Sequence, residues 1–176
     1  MKKIAGILMG LALAGGAWAG EMPAGYVPPK PSAELEQIKA LEGRWEGESP
    51  EKGQEGKLAT VEYRLTSGGS AVEEKLSAGT PHEMVSMYHD VNGKLSMEHY
   101  CMMGNQPHLE LKSSSAGKLS LGESAASAAT LAGQMRMREL VIETPDADTL
   151  LQTWTAYGAD DKAMGPPSVF KFKKVK

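Results

Sequence analysis

The chain has few means of stapling or anchoring itself. It carries one cysteine, Cys101, among 176 residues, so no internal disulfide can form and the fold must rest on packing. After the first nineteen residues no apolar run approaches the roughly 20 residues that span a bilayer as a helix. Positive charge is scarce, with 19 Lys and Arg against 22 Asp and Glu and a net charge of −3. Its one basic cluster, Lys171 to Lys176, reads as a solvated strand end, which makes the chain a poor nucleic-acid binder. There is no Gly-x-Ser-x-Gly elbow, no His-Glu-x-x-His helix and no phosphate-cradling glycine loop, which disfavours a hydrolase. Glu73-Glu74 and Asp160-Asp161 are adjacent acid pairs. Strand neighbours point to opposite faces, however, so neither pair makes a paired-carboxylate site by adjacency.

What is present begins with an export signal. Met1-Lys2-Lys3 is a short positive region, Ile4 to Gly16 is apolar, and Ala17-Trp18-Ala19 offers a small-x-small cleavage site. No cysteine follows the apolar run, so a lipoprotein anchor is not indicated. Cleavage after Ala19 removes Lys2 and Lys3 and takes the net charge from −3 to −5. The destination implied is the periplasm or beyond, where a lone free thiol is either buried and inert or put to use. Residues 20–31 are rich in Pro and Gly and read as an extended leader. The remaining residues, 32–176, amount to one domain.

Ser32 has the character of a helix N-cap, with Leu35, Ile38 and Leu41 at helical spacing and Glu34 and Glu36 at the positive end of the dipole. One short helix ending near Gly43 is expected. The texture then changes to period-2 runs separated by turn residues. Ten strands are predicted, near 44–49, 57–66, 70–78, 83–90, 94–102, 107–114, 117–121, 134–143, 149–157 and 168–175. Serial hairpins at this spacing make an antiparallel meander, and closing it removes the exposed edges. The expected fold is therefore all-β: a closed barrel of about ten strands with room for packed side chains or one small ligand. Residues 122–133, rich in small side chains, read as a slack connection or a loop over the barrel mouth.

Two sets of residues carry a resemblance. Gly43-Arg44-Trp45, opening the first strand after a short helix, resembles the Gly-x-Trp start of lipocalins and other calycins. The resemblance implies that Trp45 packs across the closed end beneath a basic side chain of the last strand, with Lys171 and Lys173 as candidates. The second set runs from Met84-Val85-Ser86-Met87-Tyr88-His89 through His99-Tyr100-Cys101 and Gly104-Asn105-Gln106-Pro107. It continues through Ala132-Gly133-Gln134-Met135-Arg136 and Leu151-Gln152-Thr153-Trp154-Thr155 to the closing Phe-x-Phe. This set is similar to a family of uncharacterised bacterial lipocalin-like proteins. Gln134 and Arg136 stand where relatives tend to carry histidines, and the family lends a fold rather than an activity.

All four histidines, His82, His89, His99 and His108, fall in one stretch. Along 94–102, Leu95, Met97, His99 and Cys101 alternate with Ser96, Glu98 and Tyr100, which points His99 and Cys101 into the barrel, about 7 Å apart. Several readings are open. One is a core histidine beside an inert thiol. A second is a pocket for a small hydrophobic or amphipathic molecule lined by His99, Cys101, Asn105 and Gln106. Arg136 joins that pocket if it faces inward, holding a ligand carboxylate or pairing with Glu74. A third is a copper or other soft-metal site using His99, Cys101 and Met97, near Met84, Met87, Met102, Met103, Met135 and Met137. A fourth is haem, with His99 or His89 as the axial ligand. Binding without catalysis is the expectation, with a metal- or redox-responsive protein and a structural barrel with a filled core as alternatives.

Overall fold

The computed structural model describes Gly25, Val27 and residues 29–176. The expected signal peptide and most of the leader lie outside the described residues. α1 (Ala33–Lys39) starts where its cap dictates, with the Ser32 Oγ accepting from the Leu35 N–H at 3.0 Å and Glu34 and Glu36 in the first turn. Ser32 is itself tied to a hairpin of the barrel: its N–H and its hydroxyl each donate to Asp90, both at 2.7 Å.

Ten strands follow: β1 (Gly43–Glu48), β2 (Leu58–Thr66), β3 (Ala71–Leu76), β4 (Met84–Val91), β5 (Lys94–Tyr100), β6 (His108–Ser115), β7 (Lys118–Glu123), β8 (Arg136–Asp146), β9 (Thr149–Tyr157) and β10 (Ser168–Lys174). Each pairs antiparallel with the next, and β10 pairs with β1, so the sheet is a closed barrel, as expected and consistent with a lipocalin-like architecture. The alternation that predicted strands is the alternation of burial. Val61 and Tyr63 are buried while Glu62 and Arg64 are exposed. At Asn92-Gly93 both residues have positive φ, 52° and 76°, the conformation a two-residue hairpin needs.

The meander gives the barrel two different ends. At one end short hairpins join β2 to β3, β4 to β5, β6 to β7 and β8 to β9, and α1 packs there with Leu35, Ile38 and Leu41 buried. At the other, the mouth, lie the longer connections 49–57, 77–83, 101–107, 124–135 and 158–167. Residues 122–133 are not a plain loop. Ser124 accepts from the Ser127 N–H and caps a six-residue helix, α2 (Ala125–Thr130), because alanine-rich sequence after a good cap favours helix.

Trp45 is buried at the closed end, and its indole N–H donates to the Leu41 carbonyl at 2.8 Å. The cation above its ring is Lys174, with Nζ 5.1 Å from the centroid. This corrects the expectation of Lys171 or Lys173. The register sets Trp45 opposite Lys174, while Lys171 and Lys173 point outward, the latter hydrogen-bonding Thr149.

Candidate functional site

The site is built by register. Tyr63 on β2 stands opposite Glu74 on β3, Glu74 opposite Ser86 on β4, and Ser86 opposite His99 on β5. Four inward residues on four consecutive strands therefore form one row around the barrel wall. All four are buried, Glu74 and His99 each to 1% exposure. Gln152 and Trp154 complete the row from β9.

Glu74 is the sink of this network. Tyr88 donates to it at 2.8 Å, Gln152 Nε2 at 2.9 Å and Ser86 Oγ at 3.3 Å, and Tyr63 also bonds to it. Gln152 Nε2 also donates to the Tyr63 hydroxyl at 2.5 Å, and its Oε1 accepts from the Trp154 indole at 3.3 Å. These bonds join β9 to β2 and β3, strands that are not neighbours in the sheet, so at this level side chains fill the lumen. Burial raises the Glu74 pKa from its ordinary value, and the four donors oppose that rise. Burial also pushes the Tyr63 and Tyr88 hydroxyls well up, with the Glu74 charge adding to it.

His99 ends the row. Its Nδ1 lies 3.0 Å from Ser86 Oγ, and its ring packs against Trp154 with centroids 4.8 Å apart. Burial lowers its pKa to about 4, which keeps the imidazole neutral at neutral pH. Nε2 is buried and has no hydrogen-bond partner. A buried polar atom left unpaired costs about 1–3 kcal/mol.

Cys101, just past the end of β5, is also buried, and burial pushes its thiol pKa up. The 101–107 connection is held by the Gly104 N–H donating to the Cys101 carbonyl, the Cys101 N–H donating to Asn105, and the His99 N–H donating to Pro107. Asn105 is buried; its Nδ2 donates to the Met135 carbonyl at 2.9 Å, while its Oδ1 has no partner. Gln106 is exposed and bonds back to the Gly104 carbonyl at 3.2 Å, which turns it away from the interior.

Arg136 is buried, yet its partners belong to the protein. Its Nε donates to Glu123 at 2.7 Å, one terminal nitrogen to the Gln134 carbonyl at 3.0 Å, and the other to Asp161 at 3.0 Å. Arg138 Nε comes within 2.8 Å of the second Glu123 oxygen without making an aligned hydrogen bond. Glu74, one of the two partners considered for Arg136, is thus replaced by Glu123 and Asp161. Arg136 lies at the mouth end of β8, level with Glu123 at the end of β7, whereas Glu74 belongs to the row inside. The Glu123 hydrogen bond raises the Arg136 pKa further and fixes its charge.

The methionines do not converge as expected. Met84 and Met97 are buried, whereas Met102, Met103 and Met135 are exposed on connections at the mouth. Among the described residues no group of three His, Cys, Asp or Glu side chains is placed to hold a metal. Of the two histidines considered for an axial role, His99 faces inward and His89 has the outward parity of β4. His108 pairs with Glu98 on neighbouring strands.

From sequence, Glu74 entered only as half of an acid pair and as a possible partner of Arg136, and Ser86 and Gln152 only within a resemblance. Their signal was a polar residue at the buried parity of an otherwise apolar set: Val72, Glu74, Leu76; Met84, Ser86, Tyr88; and Leu150, Gln152, Trp154. No family model matches the chain, and no curated protein matches it either.

Proposed function

We propose that the chain is an exported lipocalin-like barrel that holds a small amphipathic molecule in the mouth half of its lumen and does no chemistry on it. The observation that carries this reading is the pair of buried polar atoms without partners, His99 Nε2 at the mouth end of β5 and Asn105 Oδ1 on the β5–β6 connection that also holds Cys101. Ligand sites in barrels are apolar with a few placed polar groups, and Trp154, packed on the His99 ring, and the buried Cys101 side chain supply apolar surface at this end. The protonated Cys101 thiol suits packing better than nucleophilic attack, and Ser86 is engaged by Glu74 and His99. The export signal and the similarity to uncharacterised lipocalin-like proteins belong to this proposal. They support a periplasmic carrier or sensor.

Native mass spectrometry of mature protein isolated without denaturation, with metal analysis of the same sample, tests the reading. A non-covalent organic adduct on the wild type, lost in His99→Ala, is expected. Stoichiometric copper lost in Cys101→Ser would instead favour the soft-metal reading, for which the shared inward parity of Met97, His99 and Cys101 is the supporting observation.

A further inference from the structure

We infer that Arg136 and Arg138 form an oxyanion-binding site whose resident occupant is Asp161, and that an amphipathic acid bearing a carboxylate or a phosphate takes its place by exchange. This site is separate from the lumen and does not depend on the lumen holding a ligand.

β8 presents both arginines together because its register slips. Between Met137 and Glu139 the pairing with β9 shifts, so Arg138 is the extra residue of a bulge, a device that re-aims a side chain within a sheet. Both guanidiniums reach Glu123, whose side chain is only 1% exposed. Two cations thus face one buried carboxylate, and the second negative charge comes from Asp161. A single oxygen of Asp161 lies 3.0 Å from Arg136 and 2.6 Å from Arg138. Unlike Glu123, this carboxylate reaches solvent. Its side chain is 60% exposed on the 158–167 connection. Among the described residues it makes the only side-chain bonds from that connection to the barrel. An exposed carboxylate held between two guanidiniums is the arrangement in which a free carboxylate or phosphate is bound.

The two arginines are not equally held. Arg136 is bonded at all three of its nitrogens. Arg138 Nε stands 2.8 Å from Glu123 Oε2 without an aligned bond, which leaves that buried oxygen unpartnered. Among the described residues no protein group accepts from Arg138 Nη2, and the guanidinium lies over the Tyr157 ring, 4.6 Å from its centroid. Arg138 therefore keeps donors free, in the planar fork that carboxylates and phosphates match. Arg138 and Tyr157 also line a groove of about 440 Å³ across β6 to β9, with Lys112, Gly122, Val141 and Thr155. The groove gives the body of an acid a place beside its head group. Charge sets the mode of binding. Glu139 lines the same groove, so an added anion would meet Glu123, Glu139 and Asp161 at once, whereas exchange for Asp161 keeps the balance. A tethered carboxylate competes at an effective concentration of about millimolar. A bare anion therefore binds the wild type weakly, and contacts along the groove let an amphipathic acid displace Asp161.

The test follows the Arg138 Nε–H signal of labelled protein during titration with benzoate and with inorganic phosphate, each against chloride at equal ionic strength. Asp161→Gly removes the resident carboxylate, and glycine suits the positive φ of 62° at this position. Both anions are expected to bind Asp161→Gly about tenfold or more tightly than the wild type, because the internal competitor is gone. Asp161→Asn, which keeps the shape without the charge, should fall between them. Each anion should also raise the thermal midpoint of Asp161→Gly where chloride does not, and adding Arg138→Gln should abolish that rise. Tighter binding of benzoate than of phosphate supports a carboxylic acid as the ligand, and the reverse order supports a phosphate ester. Equal binding by the wild type and Asp161→Gly, or a thermal rise that survives Arg138→Gln, overturns the inference and leaves Asp161 as a structural ion pair. An Arg138 signal that neither anion moves in Asp161→Gly overturns it as well.

Discussion

The two ends of this barrel treat their polar groups differently. At the closed end each polar group named is matched: Ser32 by Asp90, the Trp45 indole by Leu41, and the face of Trp45 by Lys174. Around them Leu35, Ile38, Leu41 and Phe172 pack as a dry plug. At the mouth, three buried polar atoms, His99 Nε2, Asn105 Oδ1 and Glu123 Oε2, make no hydrogen bond, and Met102, Met103, Met135 and Met164 are exposed on its connections. Natural interiors pair almost all their buried polar groups. Matching at one end and not the other fits the proposal that stability rests on the plug and ligand binding on the mouth, with the Glu74 row between them.

Substitutions at the two ends should therefore differ in size. Trp45→Ala is expected to cost about 3–5 kcal/mol, the range for removing a large buried aromatic, measured by urea denaturation. His99→Gln should cost less, because the Nε2 it removes is unpaired and the glutamine amide can still bond Ser86, leaving the Trp154 ring contact as the main loss. Equal losses would erase the distinction between the ends. Glu74→Ala comes next, at about 2–4 kcal/mol, since it strands Tyr88, Ser86 and Gln152 donors in the lumen. Glu74→Gln, which keeps the shape and one acceptor, should cost less than Glu74→Ala in the same assay.

The pH dependence of stability gives a third comparison. His99 has its pKa lowered from 6.5 to about 4, so between those values the unfolded chain binds a proton that the folded one refuses. Stability should fall as pH drops through that window, by up to about 3 kcal/mol, and His99→Gln should flatten this limb. Glu74 is shifted the opposite way. Its raised pKa means that the folded state holds a proton longer, so its contribution declines as pH rises from the ordinary carboxyl value through the raised one. Glu74→Gln should remove that decline. Thermal midpoints across pH in the two variants separate the slopes. The smallest effect is at the closed end, where Lys174→Met should cost about 0.5–1 kcal/mol of cation–π stabilisation in urea denaturation. Lys171→Met, pointing outward, should be neutral.

Much of this architecture is legible in sequence because it is written in local periodicity. Leu95, Met97, His99 and Cys101 share one parity, and the structure buries all four. The ten strands, the Asn92-Gly93 turn and the Ser32 cap are likewise local signals. What local signals do not encode is which residues meet across strands. Lys174 rather than Lys171 covers Trp45 because of the β1–β10 register. Arg136 finds Glu123 and Asp161 because the ends of β7 and β8 and the 158–167 connection meet at the mouth. Glu74 becomes the centre of the lumen only when Gln152 bonds to it from across the barrel. Parity identifies which residues face inward, and only the closed sheet identifies their partners. α2 was missed for another reason: a run of small residues looks like slack chain until the cap at Ser124 is given weight.

The measurement that tests the division of the barrel most directly is the nitrogen chemical shift of His99 Nε2, followed as an alkyl alcohol or amide is titrated into labelled protein. The Nε2 signal is expected to move in step with binding as the unpartnered nitrogen gains a hydrogen bond, while the Trp45 indole at the closed end does not move. An Nε2 signal that stays fixed while the ligand saturates the protein would contradict it.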